Sequence, residues 1–283
     1  MANVGIMTDT IACLPPEIVE KYGIRLLPVP YNIDGKPYRD GIDLTPDEFW
    51  QEFPKMKEFT TAAPAISEYT AIFEEMAEET QHIVCTFVSK VLSAVNETAV
   101  QAAELFKKDH PHVDIHVLDS RTAAGAEGFM VEEMAKAAAA GKSAAQIAAV
   151  AEETRRHVKF VTVMETLKYL IKSGRAPKTA YMGELFQVKP IIGMLGDSGE
   201  VENLGRARGK EKAIARMLDI MQEQFHKGQA IRAYVHYTSS REEGEALREM
   251  VVKRFNCTET YFTPYTPVMS GHTGPVLAVS FYS

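Results

Sequence analysis

The chain has 283 residues, which is enough for one large domain or two smaller ones with sizeable hydrophobic cores. Hydrophobic residues make up 46% of the sequence and charged residues 24%, as is ordinary for a soluble globular protein. The formal net charge of −7 argues against a general nucleic-acid-binding surface, because phosphate contacts need a basic excess.

Short hydroxyl residues follow three apolar runs of strand length in the first half of the chain. The runs at 4–7, 83–88 and 115–118 lead into Thr8-Asp9-Thr10, Ser89-Lys90-Val91-Leu92-Ser93 and Asp119-Ser120-Arg121-Thr122. A helix-like pattern follows each run, and this alternation predicts a mainly parallel α/β sheet. Ligands of such sheets bind beyond the carboxyl ends of the strands, where helix N-termini also point. The hydroxyls therefore indicate a site for an oxyanion or a polar head group.

Capping patterns predict where several helices of the first half begin. Thr45-Pro46-Asp47-Glu48 combines an N-cap hydroxyl, a proline at the first helical position and a carboxylate at the third. A second helix is expected to begin at Ser93, and residues 128–140 form an alanine-rich helix. The segment Ser143-Ala144-Ala145-Gln146 forms a capping box, which predicts a further helix that ends near Arg156.

A second set of elements begins after Arg156, and we place a domain boundary there. We predict an N-terminal α/β domain over residues 1–156 with a mainly parallel sheet, and a C-terminal α/β domain over 157–283 with a mixed sheet. The predicted strands of the second domain are residues 158–163, 188–195, 200–204, 231–236, 258–262 and 276–282, and its predicted helices are 210–226 and 241–255. Gly196-Asp197-Ser198-Gly199 separates two of these strands and predicts a hairpin turn.

The start of the chain and its cysteines both favour a cytoplasmic location. Residues 1–4 lack the basic and then apolar pattern of a signal peptide, and no apolar run has the length that crosses a bilayer. Cys13, Cys85 and Cys257 are odd in number, far apart and without a C-x-x-C pair. Free thiols in a reducing cytoplasm fit this pattern best.

Three motifs that could carry chemistry have simpler explanations. Asp197-Ser198-Gly199 is similar to a serine-protease nucleophile loop, but a hairpin turn accounts for these residues. His110, His112 and His116 form a histidine cluster whose extended spacing does not bring metal ligands together, so we expect no metal site. The sequence has no Walker-type glycine-rich lysine loop, and we expect no cofactor.

Three residues are candidates for contacts with a polar head group. Ser93 could simply cap the helix that follows it, although a capped helix start also favours an anion. Thr61 could likewise only begin the next helix. His272 lies in Gly271-His272-Thr273-Gly274-Pro275, a loop whose glycines and proline let backbone approach a ligand closely.

Basic residues form two largely exposed tracts in the second half of this acidic chain. The first tract holds Lys189, Arg206, Arg208, Lys210 and Lys212, and the second holds Lys168, Lys172, Arg175 and Lys178. Solvated helix faces explain such tracts, and docking of an acidic partner or an acyl phosphate explains them equally well.

Short motifs distributed over nearly the whole chain occur together in the order found in one protein family. The matching segments are residues 8–15, 61–64, 89–96, 117–120, 167–175, 189–191, Arg208 and 272–275. On these motifs the chain resembles the DegV family of bacterial fatty-acid-binding proteins. It departs from the family pattern at Ala62, Ala63, Ala94 and Val276, where polar residues or glycine are usual.

The resemblance implies a long-chain fatty acid in a tunnel between two α/β domains. It also implies that Thr61, Ser93 and His272 hold the carboxylate, which a buried site must pair with donors. The acyl chain itself is stabilised by about 0.8 kcal/mol for each buried CH₂ group.

The resemblance implies two protein partners as well. Members of the family present the bound carboxylate to a separate ATP-dependent kinase subunit, and an acyltransferase of phospholipid synthesis uses the acyl phosphate. In this interpretation the chain is a substrate-presenting subunit and not itself an enzyme. Arg175, Arg206 and Arg208 are then candidate contacts with the partner or the phosphate.

Two other functions remain open from the sequence. The chain could be an acyl hydrolase that uses Ser93 or Ser120 with His272, although it lacks a G-x-S-x-G elbow. It could also be a lipid-responsive interaction protein in which the bound lipid is structural.

Overall fold

The computed structural model describes residues 4–178 and 187–283. Its strands are β1 (Val4–Asp9), β2 (Arg25–Leu27), β3 (Pro30–Ile33), β4 (Lys36–Arg39), β5 (Phe59–Thr61), β6 (His82–Phe87), β7 (Asp114–Asp119), β8 (Val158–Met164), β9 (Val188–Met194), β10 (Glu202–Arg208), β11 (Ala230–Tyr237), β12 (Asn256–Pro264) and β13 (Val276–Tyr282). Its helices are α1 (Pro16–Tyr22), α2 (Pro46–Glu52), α3 (Ile66–Ala77), α4 (Val95–Asp109), α5 (Ala124–Ala139), α6 (Ala144–His157), α7 (Lys168–Lys172), α8 (Lys210–Gln222), α9 (Arg241–Arg254) and α10 (Pro267–Thr273).

The first part of the chain forms a four-stranded parallel sheet in the order β2-β1-β6-β7. The register pairs Ile6 with Val84 in the middle of the sheet, where both side chains are buried. Helices α3 and α4 contact the sheet from one side, and α5 and α6 contact it from the other. Helices on both faces are what a parallel sheet with apolar strands requires, and the prediction of a mainly parallel sheet is confirmed.

The second part of the chain forms a six-stranded sheet in the order β10-β9-β8-β13-β11-β12. Only β11 and β12 run parallel as neighbours, so the sheet is mixed, as predicted. Alternate residues of the inner strands belong to two different cores: Phe160 and Ile192 face the first part of the chain, whereas Val161 and Ile191 face α8.

Helix α5 lies between the two sheets and contacts β1 on one side and β8 and β13 on the other. A Cβ atom at Gly125 would lie 2.5 Å from Tyr234 Cβ, and one at Gly128 would lie 2.8 Å from the carbonyl oxygen of Ala12. A helix that is buried on both sides needs small residues where backbone and rings come this close. The alanine-rich sequence of α5 therefore serves packing between sheets.

A third sheet, with three antiparallel strands in the order β4-β3-β5, was not predicted. Its strands have only three or four residues and include Pro30 and Pro37, so they give no clear alternation of apolar and polar residues. Thr61 ends β5, where it pairs with Tyr31. The suggestion that Thr61 begins a helix was wrong, because α3 begins five residues later at Ile66.

The predicted capping boxes at Thr45 and Ser143 are both present. The predicted start of α4 at Ser93 was wrong by two residues, since Ala94 is the N-cap and Ser93 Oγ accepts a hydrogen bond from the Val95 N–H at 3.4 Å. The predicted hairpin is confirmed by the antiparallel pairing of β9 with β10. Residue His272 belongs to the last turn of α10 and not to a loop, because Pro267 begins this short helix.

The boundary that we propose between residues 156 and 157 falls in the last turn of α6, directly before β8. No helix in residues 4–178 and 187–283 is both long and apolar enough to cross a membrane.

Candidate functional site

A mostly apolar cavity lies between the carboxyl end of the four-stranded sheet and one face of the six-stranded sheet. Its volume is about 690 Å³ with the open mouth included, which is within the usual range of ligand pockets. Ile11, Val88 and Leu92 line it beyond the ends of β1 and β6, and Phe160, Ile192 and Met194 line it from β8 and β9. This is the edge of the sheet where the sequence predicted a ligand.

Polar side chains from four separate segments lie on the same cavity: Thr61, Ser93, Arg175 and His272. Thr61 Oγ1 and His272 Nε2 are 3.1 Å apart, although the two residues are 211 positions apart in the chain. The structure thus brings together the three residues that the sequence singled out for a carboxylate, and it adds an arginine.

Thr61 and Ser93, the two hydroxyl residues assigned to the site, are both positioned by neighbouring secondary structure. The backbone of Thr61 is fixed by the pairing of β5 with β3. The Ser93 N–H donates to the Ser89 carbonyl oxygen at 3.1 Å, in the turn between β6 and α4. The Ser93 Oγ accepts from the Val95 N–H, and its hydroxyl hydrogen has no acceptor within the described part of the chain. Ser93 can therefore donate to a ligand without losing its own structural bond.

His272 is held as a neutral imidazole. Burial, together with the nearby positive charge of Arg175, lowers the pKa of His272 to about 3. Its Nδ1 is buried and has no hydrogen-bond partner among the residues described. When Nε2 carries the hydrogen and donates to Thr61 Oγ1, the Thr61 hydroxyl hydrogen is free to point at an anion.

Arg175 is half-buried in the wall of the cavity, just after α7. Its Nε donates to the Leu92 carbonyl oxygen at 2.9 Å, and its Nη1 donates to the Ser173 carbonyl oxygen at 3.0 Å. Burial lowers the pKa of Arg175 below its ordinary value. These bonds leave Nη2 without a partner in the described residues, so one edge of the guanidinium can bind an oxygen.

Arg206 and Arg208 lie elsewhere, exposed on β10 at the edge of the six-stranded sheet. The sheet register pairs Arg206 with Pro190 and Arg208 with Val188. Paired residues point to the same face, and this is also the face of Ile192, which lines the cavity. The two arginines therefore extend the cavity side of the sheet into solvent.

The basic tracts are largely exposed, as predicted, except at Arg175, Lys189 and Lys210. Arg175 is half-buried, and the Lys189 side chain is 16% exposed and forms an ion pair with Glu165. Lys210 pairs with Glu243 at 2.6 Å. These two lysines are thus already neutralised by neighbouring carboxylates.

Ser120 does not lie on the cavity. It is fully buried, its Oγ donates to the Thr122 carbonyl oxygen at 3.1 Å, and the same Oγ accepts from the Thr122 N–H at 3.2 Å. The hydrogen bond of His272 goes to Thr61. The geometry therefore gives no support to a hydrolase in which Ser120 acts with His272.

The remaining motifs have structural roles. Asp197 accepts a hydrogen bond from Arg155, and Ser198 Oγ accepts one from the Glu200 N–H at 3.1 Å. His116 Nε2 lies 2.9 Å from an Asp114 oxygen, and the His110 ring stacks on Phe106 with centroids 4.1 Å apart. Over the described ranges, no group of three or more His, Cys, Asp or Glu side chains is arranged to hold a metal ion.

Buried carboxyl groups near the cavity were missed by the sequence analysis. Asp9 Oδ1 accepts from the Ile11 N–H at 2.8 Å, and Asp40 Oδ1 accepts from the Val268 N–H at 3.0 Å. Burial raises the pKa of Asp9 to about 7 and the pKa of Asp40 to about 6. Thr8-Asp9-Thr10 gave a signal, since it ends a strand, but the carboxylate binds backbone and not a ligand. No local signal singled out Asp40.

Comparisons with known proteins agree with this architecture. The model of one family, described as uncharacterised protein, DegV family, matches residues 3–283. A DegV domain-containing protein of Caldanaerobacter subterraneus subsp. tengcongensis is 30% identical over 222 residues, which is 78% of this chain and 77% of that protein.

Two solved structures are similar over the whole chain. The fatty-acid-binding DegV family protein from Thermus thermophilus is 28% identical, with a TM-score of 0.90 over 99% of both chains. DegV from Bacillus subtilis, a fatty acid binding protein, is 25% identical, with a TM-score of 0.85 over 100% of this chain and 99% of that one.

Proposed function

Because the chain belongs to the DegV family, we propose that it binds a long-chain fatty acid in the cavity between its two sheets. The observation that carries the proposal is the composition of this cavity, whose walls are mainly apolar and include the hydrogen-bonding side chains of Thr61, Ser93, Arg175 and His272. The hydroxyls of Thr162 and Thr273, which also line it, donate to backbone carbonyl oxygens. Fatty acid binding by the similar Thermus thermophilus protein supports it. Each buried CH₂ group of the ligand stabilises the complex by about 0.8 kcal/mol, so the apolar walls supply the affinity.

The carboxylate end is assigned to Thr61, Ser93 and His272. A buried carboxylate is unfavourable unless hydrogen bonds replace its water shell. The hydroxyls of Thr61 and Ser93 donate to it, and neutral His272 orients the Thr61 hydroxyl through their 3.1 Å contact. Neutral donors hold the head group while leaving an oxygen available for reaction.

We further propose that the protein presents this carboxylate to a separate ATP-dependent kinase subunit. The kinase makes the acyl phosphate, an acyltransferase of phospholipid synthesis consumes it, and this chain performs no phosphoryl transfer itself. The exposed Arg206 and Arg208 contact the kinase, and Arg175 contacts the phosphoryl group once it forms on the carboxylate. The exposed position of the first two and the cavity position of the third support this division.

The proposal also covers where the ligand site lies in the protein and where the protein works in the cell. The ligand site is a tunnel between the domains 1–156 and 157–283, and the protein works in the cytoplasm of a bacterium. The three cysteines are free, and Cys13 and Cys85 are buried, as suits a reducing compartment.

Mass spectrometry of the purified protein under native conditions tests the proposal directly. We expect a co-purified fatty acid, and after delipidation we expect calorimetry to show one site for palmitate or oleate. A folded, delipidated protein that binds neither acid would overturn the proposed function. Bound acid without acyl-phosphate formation by any kinase subunit tested would favour a lipid-responsive interaction protein.

A further inference from the structure

The short helix α10 is seated directly on the ring of Phe59. A Cβ atom at Gly271 would lie 2.5 Å from Phe59 Cε2 and even closer to two other atoms of the ring. The same ring packs edge-on against the imidazole of His272, with centroids 5.5 Å apart and an interplanar angle of 84°. One aromatic side chain therefore contacts two consecutive residues of α10.

Phe59 and Thr61 lie two positions apart on β5 and so project to the same side of the strand. The strand thus meets α10 twice, once where Phe59 covers Gly271 and once where Thr61 reaches His272. The first contact sets how closely the strand and the helix approach, and the second contact depends on that spacing.

The glycine at position 271 is explained by space alone. Its φ is not in the left-handed region, so an alanine could adopt this backbone conformation without strain. The obstacle to any side chain at this position is the Phe59 ring.

The N-terminal end of α10 is fixed by a hydrogen bond to the buried carboxyl group of Asp40. Asp40 is fully buried, and its Oδ1 accepts a hydrogen bond from the Val268 N–H in the first turn of the helix. The helix is seven residues long and has no capping side chain at Thr266. Its position is therefore set by contacts with the first part of the chain at both ends.

We infer that Phe59 and Gly271 form an interlock that positions His272 against Thr61, with Asp40 holding the opposite end of the helix. The inference rests on the proposed function for its effect on fatty acid binding. The residues of the interlock are positioning residues, since they act on the head group through His272 and Thr61.

The matched substitutions are Gly271→Ala, Phe59→Ala and the double variant. In Gly271→Ala the new methyl group displaces the helix from the ring, so palmitate affinity should fall about tenfold or more as the head-group bond is lost. In the Phe59→Ala background the same change should alter affinity by less than about twofold, because the ring is gone. Equal losses in both backgrounds would overturn the interlock.

Gly244→Ala is the control for general overpacking. Gly244 lies in α9, and a Cβ atom there would lie 2.7 Å from Tyr237 Cβ of β11. Neither residue lines the cavity. We expect a lower melting temperature with palmitate affinity within about twofold of wild type. If Gly271→Ala does not fold, the double variant decides, since its failure to fold would contradict a clash with Phe59 alone.

Nuclear magnetic resonance of the His272 ring reads the interlock without any lipid. In wild type the ring stays neutral over the accessible pH range, because burial holds its pKa at about 3. In Gly271→Ala a displaced ring should titrate closer to pH 6.5, and in the double variant it should return to the behaviour of Phe59→Ala. An unchanged ring signal in folded Gly271→Ala would overturn the inference, whereas wild-type protein that binds no fatty acid would overturn only the proposed function.

Asp40→Asn and Asp40→Ala complete the test. Asparagine keeps an oxygen that can accept from the Val268 N–H, whereas alanine does not. We expect Asp40→Asn to retain the His272 ring signal of wild type and Asp40→Ala to lose it. If Asp40→Ala also retained the wild-type signal of the His272 ring, Asp40 would have no part in positioning α10.

Discussion

Asp9 Oδ2 accepts a hydrogen bond from the Val88 N–H at 3.0 Å and so joins the end of β1 to the end of β6 beneath the cavity. The other oxygen of the carboxyl group accepts from the Ile11 N–H. Both Ile11 and Val88 line the cavity, so one buried carboxyl group fixes two segments of its wall.

This arrangement predicts a pH dependence of stability. Burial raises the pKa of Asp9 from 3.8 to about 7, so the folded protein keeps a proton that the unfolded chain has released over this range. The contribution of Asp9 is therefore fully present below pH 3.8 and is lost as the pH rises through about 7. Asp40 acts in the same direction up to about pH 6.

Asp9→Asn removes this titration. Between pH 4 and 7 the wild type should lose unfolding free energy relative to the variant, by at most about 1.4 kcal/mol per pH unit. Urea unfolding of both proteins at several pH values measures the difference. Parallel stability curves over this range would contradict the prediction.

Thr61→Ala and Ser93→Ala should each weaken fatty acid binding. Each removes one hydrogen bond to a charged group, which is worth about 1.5–3 kcal/mol, while the acyl chain still binds in the apolar part of the cavity. Calorimetry with palmitate and delipidated protein measures the loss. Ser120→Ala is the control, because its hydroxyl is buried outside the cavity and should leave affinity unchanged. Wild-type affinity in both test variants would place the carboxylate elsewhere.

The double variant Arg206→Ala with Arg208→Ala should separate lipid binding from kinase coupling. Both side chains are exposed and outside the cavity, so we expect full lipid occupancy and reduced acyl-phosphate formation with the kinase subunit. The difference from wild type should shrink at raised ionic strength, because salt screens the attraction that the two exposed arginines supply in the wild type. Arg216→Ala, an exposed arginine of α8, is the control. Loss of lipid from the folded double variant, or full kinase turnover, would refute the assignment.

Gly125→Ala should destabilise the protein by about 1–3 kcal/mol through overpacking. The added Cβ would lie 2.5 Å from Tyr234 Cβ and 2.6 Å from His236 Nε2, which already accepts from the Gly125 N–H. Gly196→Ala is the control, since the nearest atom is a Glu202 carboxylate oxygen at 3.3 Å, and a small shift of this side chain makes room for the methyl group. Chemical denaturation should show a loss for Gly125→Ala and almost none for Gly196→Ala. Equal midpoints would mean that α5 can shift without penalty.

Elements that are specified by neighbouring residues could be predicted from the sequence. The capping boxes at Thr45 and Ser143 are complete within four residues, and β13 is apolar except for Ser280. The three-stranded sheet was missed because its short strands are stabilised mainly by pairing with one another and by rings such as Tyr31 and Phe59.

The candidate site could be predicted from the sequence only in part. Local patterns indicated hydroxyls at strand ends, but the contact between Thr61 and His272 joins residues 211 positions apart. The bond from Val268 to Asp40 spans 228 positions. No periodicity or spacing encodes such contacts, so the family resemblance selected Thr61, Ser93 and His272, and only the structure revealed Phe59, Gly271 and Asp40.

The position of α5 has a consequence for how the chain can be divided. One continuous core runs from the parallel sheet through this helix to the inner face of the six-stranded sheet. It includes Phe129 and Tyr234, whose ring centroids are 4.5 Å apart. A fragment that ends at residue 156 would leave the Phe129 side of α5 as an exposed apolar surface. Chimeras that exchange the second half between relatives must therefore keep Gly125 matched to the incoming strand that replaces β11. Recombination within this fold is therefore constrained at α5, which ends at Ala139 and so precedes the proposed boundary at residue 156.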